Sequence, residues 1–217
     1  MAYSVVCISP TTASGGEPIG HAVAGRLGFR YVDDEVITLA AETAGLDPRL
    51  LEEVEHQPGF LARLMDALVA PPKLPQGFLA RGSDRYYGEA EPPPMAPPRH
   101  ELRRLIQGAI GEIARRGQAV IVAHAASIAL AAHPNVLRVQ VTASVDVRVN
   151  RLWLPNKLVS EEEYAKAIAD SDRARHRYLA QFYDVHEEVP TLYDLVVNTD
   201  RLGMDQAVAA IVAAATH

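Results

Sequence analysis

The chain has 217 residues, and 48% of them are hydrophobic, which suits one large domain with a substantial core and argues against global disorder. With 21 Lys and Arg against 27 Asp and Glu, the formal charge is −6, which argues against a general affinity for nucleic acid or anionic membranes. No segment approaches the ~20 apolar residues of a membrane span, so we expect no membrane anchor and no export signal. The one cysteine, Cys7, has no partner for a disulfide, and this favours a cytoplasmic location.

The first element is a β-strand, predicted by the apolar run from Ser4 to Ile8. A loop rich in Ser, Thr and Gly follows, and then a helical pattern from about Glu17 to Leu27. Further apolar runs next to helix-like segments predict strands at Ala119 to Val122, Val136 to Val141 and Leu195 to Val197. This alternation predicts an α/β fold with a parallel sheet, in which ligands bind at the carboxyl ends of the strands.

Helices are predicted between these strands, where they would cover the sheet and form a substrate lobe: Asp34 to Ala44, Pro48 to Glu55, Gly59 to Val69 and His100 to Arg116. Eight of the 15 prolines fall between Pro71 and Pro98, which predicts a long loop or partly disordered insertion at residues 71–99. Tyr86 and Tyr87 within it would dock on the body or a second subunit, although a solvated loop is the commoner outcome. A homo-oligomer is therefore left open.

A glycine-rich stretch lies between the first strand and the first helix. Gly15 to Ala22 has the glycine spacing of the phosphate-binding motif GxxxxGK(S/T), whose backbone N–H groups cradle phosphate while the lysine reaches the outer phosphates and the hydroxyl holds Mg²⁺. His21 and Ala22 stand in place of the lysine and the hydroxyl, which weakens the clamp because histidine is only partly charged at neutral pH. Alternatively, the glycines only make a tight turn and let the helix pack closely. The candidate nucleotide-binding residues are Ser14, Gly15, Gly16, Glu17, Pro18, Ile19, Gly20, His21 and Ala22.

A basic segment lies in the second half of the chain, within the helix predicted from Glu161 to Tyr183. Arg173 and Arg175 belong to it, and Arg148 and Arg151 precede it. Arginine forks match phosphate oxygens, so this segment predicts a phosphate-covering lid within residues 153–183. The alternative is an exposed helix stabilised by its own opposite charges.

Further candidates lie outside these two segments: His124 follows a predicted strand, and Asp33 and Asp34 follow Tyr31 and Val32. His124 would lie at the carboxyl edge of the sheet, either as a substrate contact or as a hydrogen-bonded structural residue. Asp33 and Asp34 open the next helix and would either cap it or meet the acceptor nucleotide or its metal. The other histidines lack metal-ligand spacing with His124, so no zinc site is predicted and no residue is assigned as a metal ligand. There is no GxSxG elbow and no HExxH, which weakens hydrolase interpretations.

Four segments together resemble the cytidylate-kinase-like family of P-loop nucleoside monophosphate kinases, with a degenerate phosphate loop: ISPTTASGGEPIGHAVAGRLGFRYVDDEVI, GQAVIVAHAASIAL, SDRARHRYLAQFY and YDLVVNTDRLGMDQAV. Their order and spacing match through most of the chain, apart from the proline-rich stretch. The resemblance implies a single domain over residues 1–217 with a three-layer P-loop kinase fold, a parallel sheet flanked by helices, and a helical lid. It also implies an acceptor region beginning near Asp33 and a last strand and turn, Tyr193 to Leu202, beside the donor's base.

The family's reaction transfers the γ-phosphoryl of ATP to a pyrimidine nucleoside monophosphate of the CMP or dCMP type. The resemblance therefore implies ATP and Mg²⁺ as cofactors, and nucleoside mono- and triphosphates as partners. It implies catalytic roles for His21, Arg173, Arg175 and Asp33, and acceptor contacts from Asp33, His124 and Arg173. The chain departs from the family where lysine is expected at His21 and arginine at His124, and both changes remove a permanent cation.

Two functions remain open from the sequence. The first is a nucleotide-binding kinase-like transferase with weak activity, because phosphoryl transfer depends on charge neutralisation. The second is a non-catalytic pseudo-kinase that acts as a nucleotide sensor or as a protein-interaction module. A third interpretation, an α/β enzyme for an unrelated anionic substrate, depends on fold-level analogy alone.

Overall fold

The structure is a computed structural model that describes residues 2–33, 35–45, 99–155, 157 and 159–216. The helices predicted at Pro48 to Glu55 and Gly59 to Val69 lie outside these residues. The same holds for the proline-rich insertion up to Pro98.

The strands form one parallel sheet in the order β2-β3-β1-β4-β5, and this confirms the predicted α/β fold. β2 was not predicted, because it has only three residues and the first of them is exposed. The strands are β1 (Val5–Pro10), β2 (Arg30–Val32), β3 (Ala119–Val122), β4 (Val136–Thr142) and β5 (Leu195–Asn198).

Helices connect the strands, as the alternating pattern predicted. They are α1 (Gly16–Leu27), α2 (Glu35–Ala44), α3 (Arg99–Arg116), α4 (Ala126–Ala129), α5 (Val145–Trp153), α6 (Glu161–Tyr183) and α7 (Met204–Thr216). The bounds predicted for α6 are confirmed. A capping box formed by Ser160 and Glu163 explains why the helix starts at Glu161. None of the helices in the described part of the chain combines the length and apolar character needed to cross a bilayer.

The central strand β1 is buried on both sides, which produces the three layers. Val5 and Cys7 face α2 and α3, whereas Val6 and Ile8 face α1 and α7. This alternation follows from the two-residue period of a strand. Burial raises the pKa of the Cys7 thiol, so this cysteine behaves as a core residue.

α5 and α6 stand apart from these layers as a hairpin with its own small core. Val149 on α5 packs with Tyr164 and Ile168 on α6, and Tyr164 is fully buried. The two helices are thereby packed into one unit, and we call α5 and α6 together the lid hairpin. It lies against the loop that follows β1, because Ser171 of α6 shares a hydrogen bond of 2.6 Å with Thr12 of that loop.

Two glycines set how closely α1 approaches the sheet. A Cβ at Gly20 would lie 2.6 Å from Val122 Cγ2 and 3.2 Å from Tyr31 Cε2. A Cβ at Gly16 would collide with the ring of Pro10. The packing explanation weighed for these glycines in the sequence is therefore confirmed at both positions.

We predict that Gly20→Ala lowers the free energy of unfolding relative to Gly25→Ala by about 2 kcal/mol, because added volume in a packed interior forces neighbours to move. Gly25 lies in the same helix with no atom within 4 Å of its added Cβ, so the two variants share the gain in helix propensity. Urea unfolding of both variants measures the difference. Equal stabilities would show that α1 can move away from the sheet at little cost.

Candidate functional site

The loop between β1 and α1 ends where the glycine motif of the sequence, Gly15 to Ala22, begins, so most of that motif lies in α1. β1 ends at Pro10 and α1 begins at Gly16, so the loop is Thr11 to Gly15. Gly20, His21 and Ala22 lie in the second turn of α1. A register counted from the start of α1, with the lysine position at Gly16, would run from Pro10 to Glu17 and would have Pro10 in place of the first motif glycine.

This placement changes which residues stand at the key positions. Gly16 takes the position of the motif's lysine, and Glu17 takes that of its hydroxyl residue. Because a side chain at Gly16 would collide with Pro10, this position cannot supply a cation. The glycine spacing itself fits only the register from Gly15 to Ala22, and in that register Gly20 belongs to the packing of α1 on Val122 and Tyr31.

Side chains from two other parts of the fold, α5 and the turn after β5, hold the carbonyl groups of the loop. Arg148 Nη1 donates to the Thr12 oxygen at 3.4 Å, and Arg151 Nη1 donates to the Ala13 oxygen at 3.2 Å. Thr199 Oγ1, which follows β5, donates to the Ser14 oxygen at 2.8 Å. We call these three contacts the carbonyl clamp. It fixes the direction of three successive peptide groups.

The amino end of α1 has no protein cap. Its N-cap residue Gly15 has φ 86° and offers no side-chain hydrogen bond. Among the described residues, the amides of Gly15, Gly16 and Glu17 have no acceptor, and Pro18 has no N–H. Unpaired amides at a helix start carry the positive end of the helix dipole, so this end is suited to bind an anion such as phosphate.

Two hydroxyl groups of the loop add to this site. Ser14 is 1% exposed, and neither its Oγ nor the buried Thr11 Oγ1 has a hydrogen-bond partner in the described part of the chain. Buried hydroxyls are normally paired, because leaving one without a partner costs about 1–3 kcal/mol. Two such groups beside an uncapped helix start indicate a place for a polar ligand.

The lid hairpin contacts the loop through a buried arginine. Arg148 is 4% exposed and forms two hydrogen bonds with Asp172, Nη1 to Oδ1 at 2.9 Å and Nη2 to Oδ2 at 2.7 Å. Since Asp172 lies on α6, the ion pair joins the two lid helices while Arg148 also holds Thr12. The sequence offered only the i, i+3 spacing of Arg148 and Arg151 as a signal for this role.

The two lid arginines singled out in the sequence are engaged in ion pairs. Arg173 is exposed and pairs with Asp170 on the same helix. Arg175 donates from Nε and Nη2 to both carboxylate oxygens of Glu188, at 2.9 and 2.7 Å. Burial alone would lower the pKa of Arg175, but the hydrogen bonds and the charge of Glu188 raise it. Phosphate contacts from these arginines stay predictions.

Tyr193 completes the network around Glu188. Its hydroxyl donates to Glu188, and burial together with this bond raises the pKa of Tyr193 to about 12. Burial alone would raise the pKa of Glu188 as well, but the hydrogen bonds and charge of Arg175 outweigh it and hold that pKa below its ordinary value. The network fixes the segment between α6 and β5.

Asp33 and His124 meet at the carboxyl edge of β2 and β3. His124 Nε2 lies 3.2 Å from Asp33 Oδ1, and the histidine is only 5% exposed. The Asp33 carboxyl group is 35% exposed. The structure therefore brings the two candidates together, with Asp33 facing solvent and His124 behind it.

The backbone at His124 is strained. Ala123, His124 and Ala125 have φ values of 67°, 53° and 49°, in the left-handed region that non-glycine residues rarely adopt. Such conformations persist where surrounding structure enforces them, and they cluster at functional sites. The strained backbone is therefore consistent with a functional site at the carboxyl edge of β2 and β3.

His21 lies in the second turn of α1, outside the loop. Its ring stacks on Tyr31 with the ring centroids 3.5 Å apart and the planes at 14°. A phosphate contact by His21 stays a prediction and would require the ring to leave Tyr31.

The parallel sheet, the loop after β1 and the lid hairpin define a P-loop kinase fold. Cytidylate kinase-like family sequences match residues 5–201, and this chain belongs to that family. No curated protein matches the sequence.

One solved structure shares the fold, and a second has a lower similarity. An uncharacterized protein from Eubacterium ventriosum superposes with a TM-score of 0.63 at 15% identity, covering 97% of each chain. Shikimate kinase from Bacteroides thetaiotaomicron gives a TM-score of 0.49 at 14% identity, with 95% of each chain covered. At 15% identity, the similarity to the Eubacterium ventriosum protein shows a shared fold and says nothing about function.

We predict that Arg148→Met lowers the free energy of unfolding by about 1.5–3 kcal/mol, because it removes the hydrogen bonds of a buried guanidinium group to the partly exposed Asp172 and to Thr12. Arg173→Met is the matched control: its arginine is exposed, so the change should stay within about 0.5 kcal/mol. Urea unfolding measures both. Equal effects would contradict a structural role for Arg148 in joining lid and loop.

We predict that Glu188→Gln lowers stability at pH 7 and that its difference from the wild type shrinks below about pH 4. The folded protein holds the pKa of Glu188 below the unfolded value of about 4.3, so the ionised carboxylate stabilises the folded state above that pH. This stabilisation is lost as the pH falls through the folded-state pKa. Urea unfolding between pH 7 and pH 3 tests this, with the exposed Glu187→Gln as control. A difference that does not change with pH would contradict the account.

Proposed function

We propose that this protein binds a nucleoside triphosphate through its phosphates at Thr11 to Glu17 and transfers the γ-phosphoryl group, slowly, to a pyrimidine nucleoside monophosphate. The observation that carries the proposal is the uncapped start of α1 beside the unpaired hydroxyls of Thr11 and Ser14. Family membership supports the reaction class.

Donor phosphates would be held by the loop. The N–H groups of Gly15, Gly16 and Glu17 would donate to phosphate oxygens, and the hydroxyls of Ser14 and Thr11 would add two contacts. The carbonyl clamp supports this role for Gly15, because its N–H belongs to the peptide group whose Ser14 oxygen accepts a hydrogen bond from Thr199.

Magnesium fits this site with few protein ligands. The described residues contain no group of three His, Cys, Asp or Glu that could hold a metal. Mg²⁺ at kinase sites takes most of its ligands from phosphate and water, so the exposed Glu17 carboxylate would be a sufficient protein ligand. When bound, the metal would neutralise charge on the donor phosphates.

The acceptor would lie at the edge formed by Asp33 and His124. The exposed side of the Asp33 carboxylate would orient the acceptor, and His124 would fix that carboxylate from behind. Arg173 is free to move toward phosphate because its pair with Asp170 is exposed. Arg175 would first have to leave Glu188.

Low turnover follows from the missing cation. Gly16 cannot carry a lysine, and each lost contact to developing charge costs roughly 10²–10³ in rate at comparable sites. The second candidate function, a non-catalytic pseudo-kinase that senses nucleotide or binds a partner, is favoured by the same observation and by the ion pair of Arg175. The two candidates share the binding site and differ in turnover.

We predict that Ser14→Ala weakens Mg²⁺-ATP binding about tenfold or more, because it removes a hydrogen bond to a charged phosphate. Stability without ligand should stay equal or rise, since the Ser14 hydroxyl has no partner in the described structure. Isothermal titration calorimetry and urea unfolding measure the two effects.

The control for this variant is Ser127→Ala, a second buried serine. Its hydroxyl is bonded to the Cys7 oxygen and to Ser9, so the change should lower stability and leave ATP affinity unchanged. No ATP binding by folded wild-type protein would overturn the proposal. Binding without transfer to any common monophosphate would favour the pseudo-kinase.

A further inference from the structure

Thr199 lies in the turn after β5, beside the Ser14–Gly15 peptide group of the loop. It is 4% exposed, and its Oγ1 lies 2.8 Å from the Ser14 oxygen and 3.2 Å from the Thr142 oxygen. Arg151 Nη1 donates to the same Oγ1 at 2.9 Å. The hydroxyl therefore has two acceptors and one donor around it, although it carries a single proton.

The neighbouring bonds decide where that proton points. Because Arg151 donates to Oγ1, the hydroxyl accepts on that side and is left to donate to one of the two oxygens. The Thr142 oxygen already accepts the backbone N–H of Thr199, at 2.8 Å. The Ser14 oxygen is the nearer of the two to Oγ1, so we assign the proton to Ser14. An arginine thereby sets the direction in which a neutral hydroxyl donates.

The Ser14 oxygen cannot receive a hydrogen bond from α1 in the usual helical pattern. A helical amide donates to the carbonyl group four residues earlier, and the residue four positions after Ser14 is Pro18, which has no N–H. The next amide, that of Ile19, donates to the Gly15 oxygen at 3.2 Å. Thr199 therefore supplies from outside the helix a bond that Pro18 cannot supply from within it.

The turn that carries Thr199 is itself held by α5. Arg151 Nη2 donates to the Thr199 carbonyl oxygen at 2.7 Å. The Asp200 carboxylate accepts the N–H of Ser144, the N-cap residue of α5, at 2.7 Å. Asn198 Oδ1 accepts the Asp200 N–H at 2.9 Å. The backbone of the turn is therefore fixed without any contribution from the loop, so Thr199 can act as a support for it.

We propose that Thr199 is a positioning residue for phosphate binding: its hydroxyl holds the Ser14–Gly15 peptide group with the Gly15 N–H facing the anion, and Arg151 directs the hydroxyl proton. This inference rests on the proposed function, because it concerns the same site. Hydrogen bonds in a chain polarise one another, which strengthens each by about 10–30%. Arg151 thereby acts on the phosphate through one hydroxyl and one peptide group.

Isothermal titration calorimetry of the full chain with Mg²⁺-ATP tests the role of the hydroxyl. We expect Thr199→Val, which replaces the hydroxyl with a methyl group, to weaken binding about tenfold, the equivalent of one hydrogen bond. Thr199→Ser keeps the hydroxyl and should restore wild-type affinity. Arg151→Met should weaken binding less than Thr199→Val does, because the proton is then free to turn to the Thr142 oxygen.

A second measurement separates positioning from a general loss of stability. In backbone amide NMR without ligand, the Gly15 amide proton should move upfield in Thr199→Val, because its peptide group loses a polarising hydrogen bond, and should stay in place in Thr199→Ser. Ser127→Ala is the control, since it removes a buried hydroxyl bonded to the Cys7 oxygen. It should lower stability without changing the Gly15 resonance or the ATP affinity.

The outcomes separate this inference from the proposed function. Wild-type ATP affinity in Thr199→Val would overturn the positioning role alone. Equal losses in Thr199→Val and Thr199→Ser would assign the effect to packing of the turn and overturn it as well. Weaker binding in Arg151→Met without a loss in Thr199→Val would indicate a direct effect of charge and have the same consequence. Wild-type protein that binds no Mg²⁺-ATP would overturn the proposed function and, with it, this inference.

Discussion

The carbonyl clamp on the loop after β1 determines most of what this site can do. Arg148 and Arg151 on α5 lie about 50 residues before Thr199, yet the three side chains bind three successive carbonyl groups. Because Arg151 also donates to Thr199, at 2.9 Å to Oγ1 and 2.7 Å to the carbonyl oxygen, the clamp is one connected network. A peptide group whose oxygen is fixed also has a fixed N–H direction, so the clamp prepares the loop before any anion arrives.

The clamp also changes where the site's positive charge lies. A phosphate-binding motif usually brings a lysine to the phosphates themselves. In this chain Gly16 fills that position, and the guanidinium groups of Arg148 and Arg151 bind the opposite, carbonyl side of the loop. Binding then depends mainly on backbone amides and hydroxyls, which hold phosphate without supplying a full charge. Under the proposed function, this distribution would allow nucleotide binding without rapid turnover.

The periodic elements could be predicted from the sequence, and the register of the phosphate motif could not. Short β-branched runs such as Ala119 to Val122 predicted the parallel sheet, and helical spacing predicted the limits of α6. Gly15 and Gly20 share the motif's spacing, and spacing alone cannot show that Gly20 serves packing against Val122. Only the end of β1 at Pro10 resolves this.

Site contacts between distant segments were predictable in part. Parallel topology places Asp33 and His124 at one edge, but the burial of His124 depends on the left-handed turn after β3. The role of Arg148 depends on which loop the lid hairpin touches, and this is a tertiary property.

The central claim is that nucleotide phosphates bind at the loop and first turn, residues 11–17, rather than one turn later. Backbone amide NMR of the full chain, titrated with Mg²⁺-ATP, tests it most directly. The account predicts the largest shifts at the amides of Gly15, Gly16 and Glu17, which have no acceptor among the described residues. Shifts centred on His21 and Ala22, with those three amides unchanged, would contradict it.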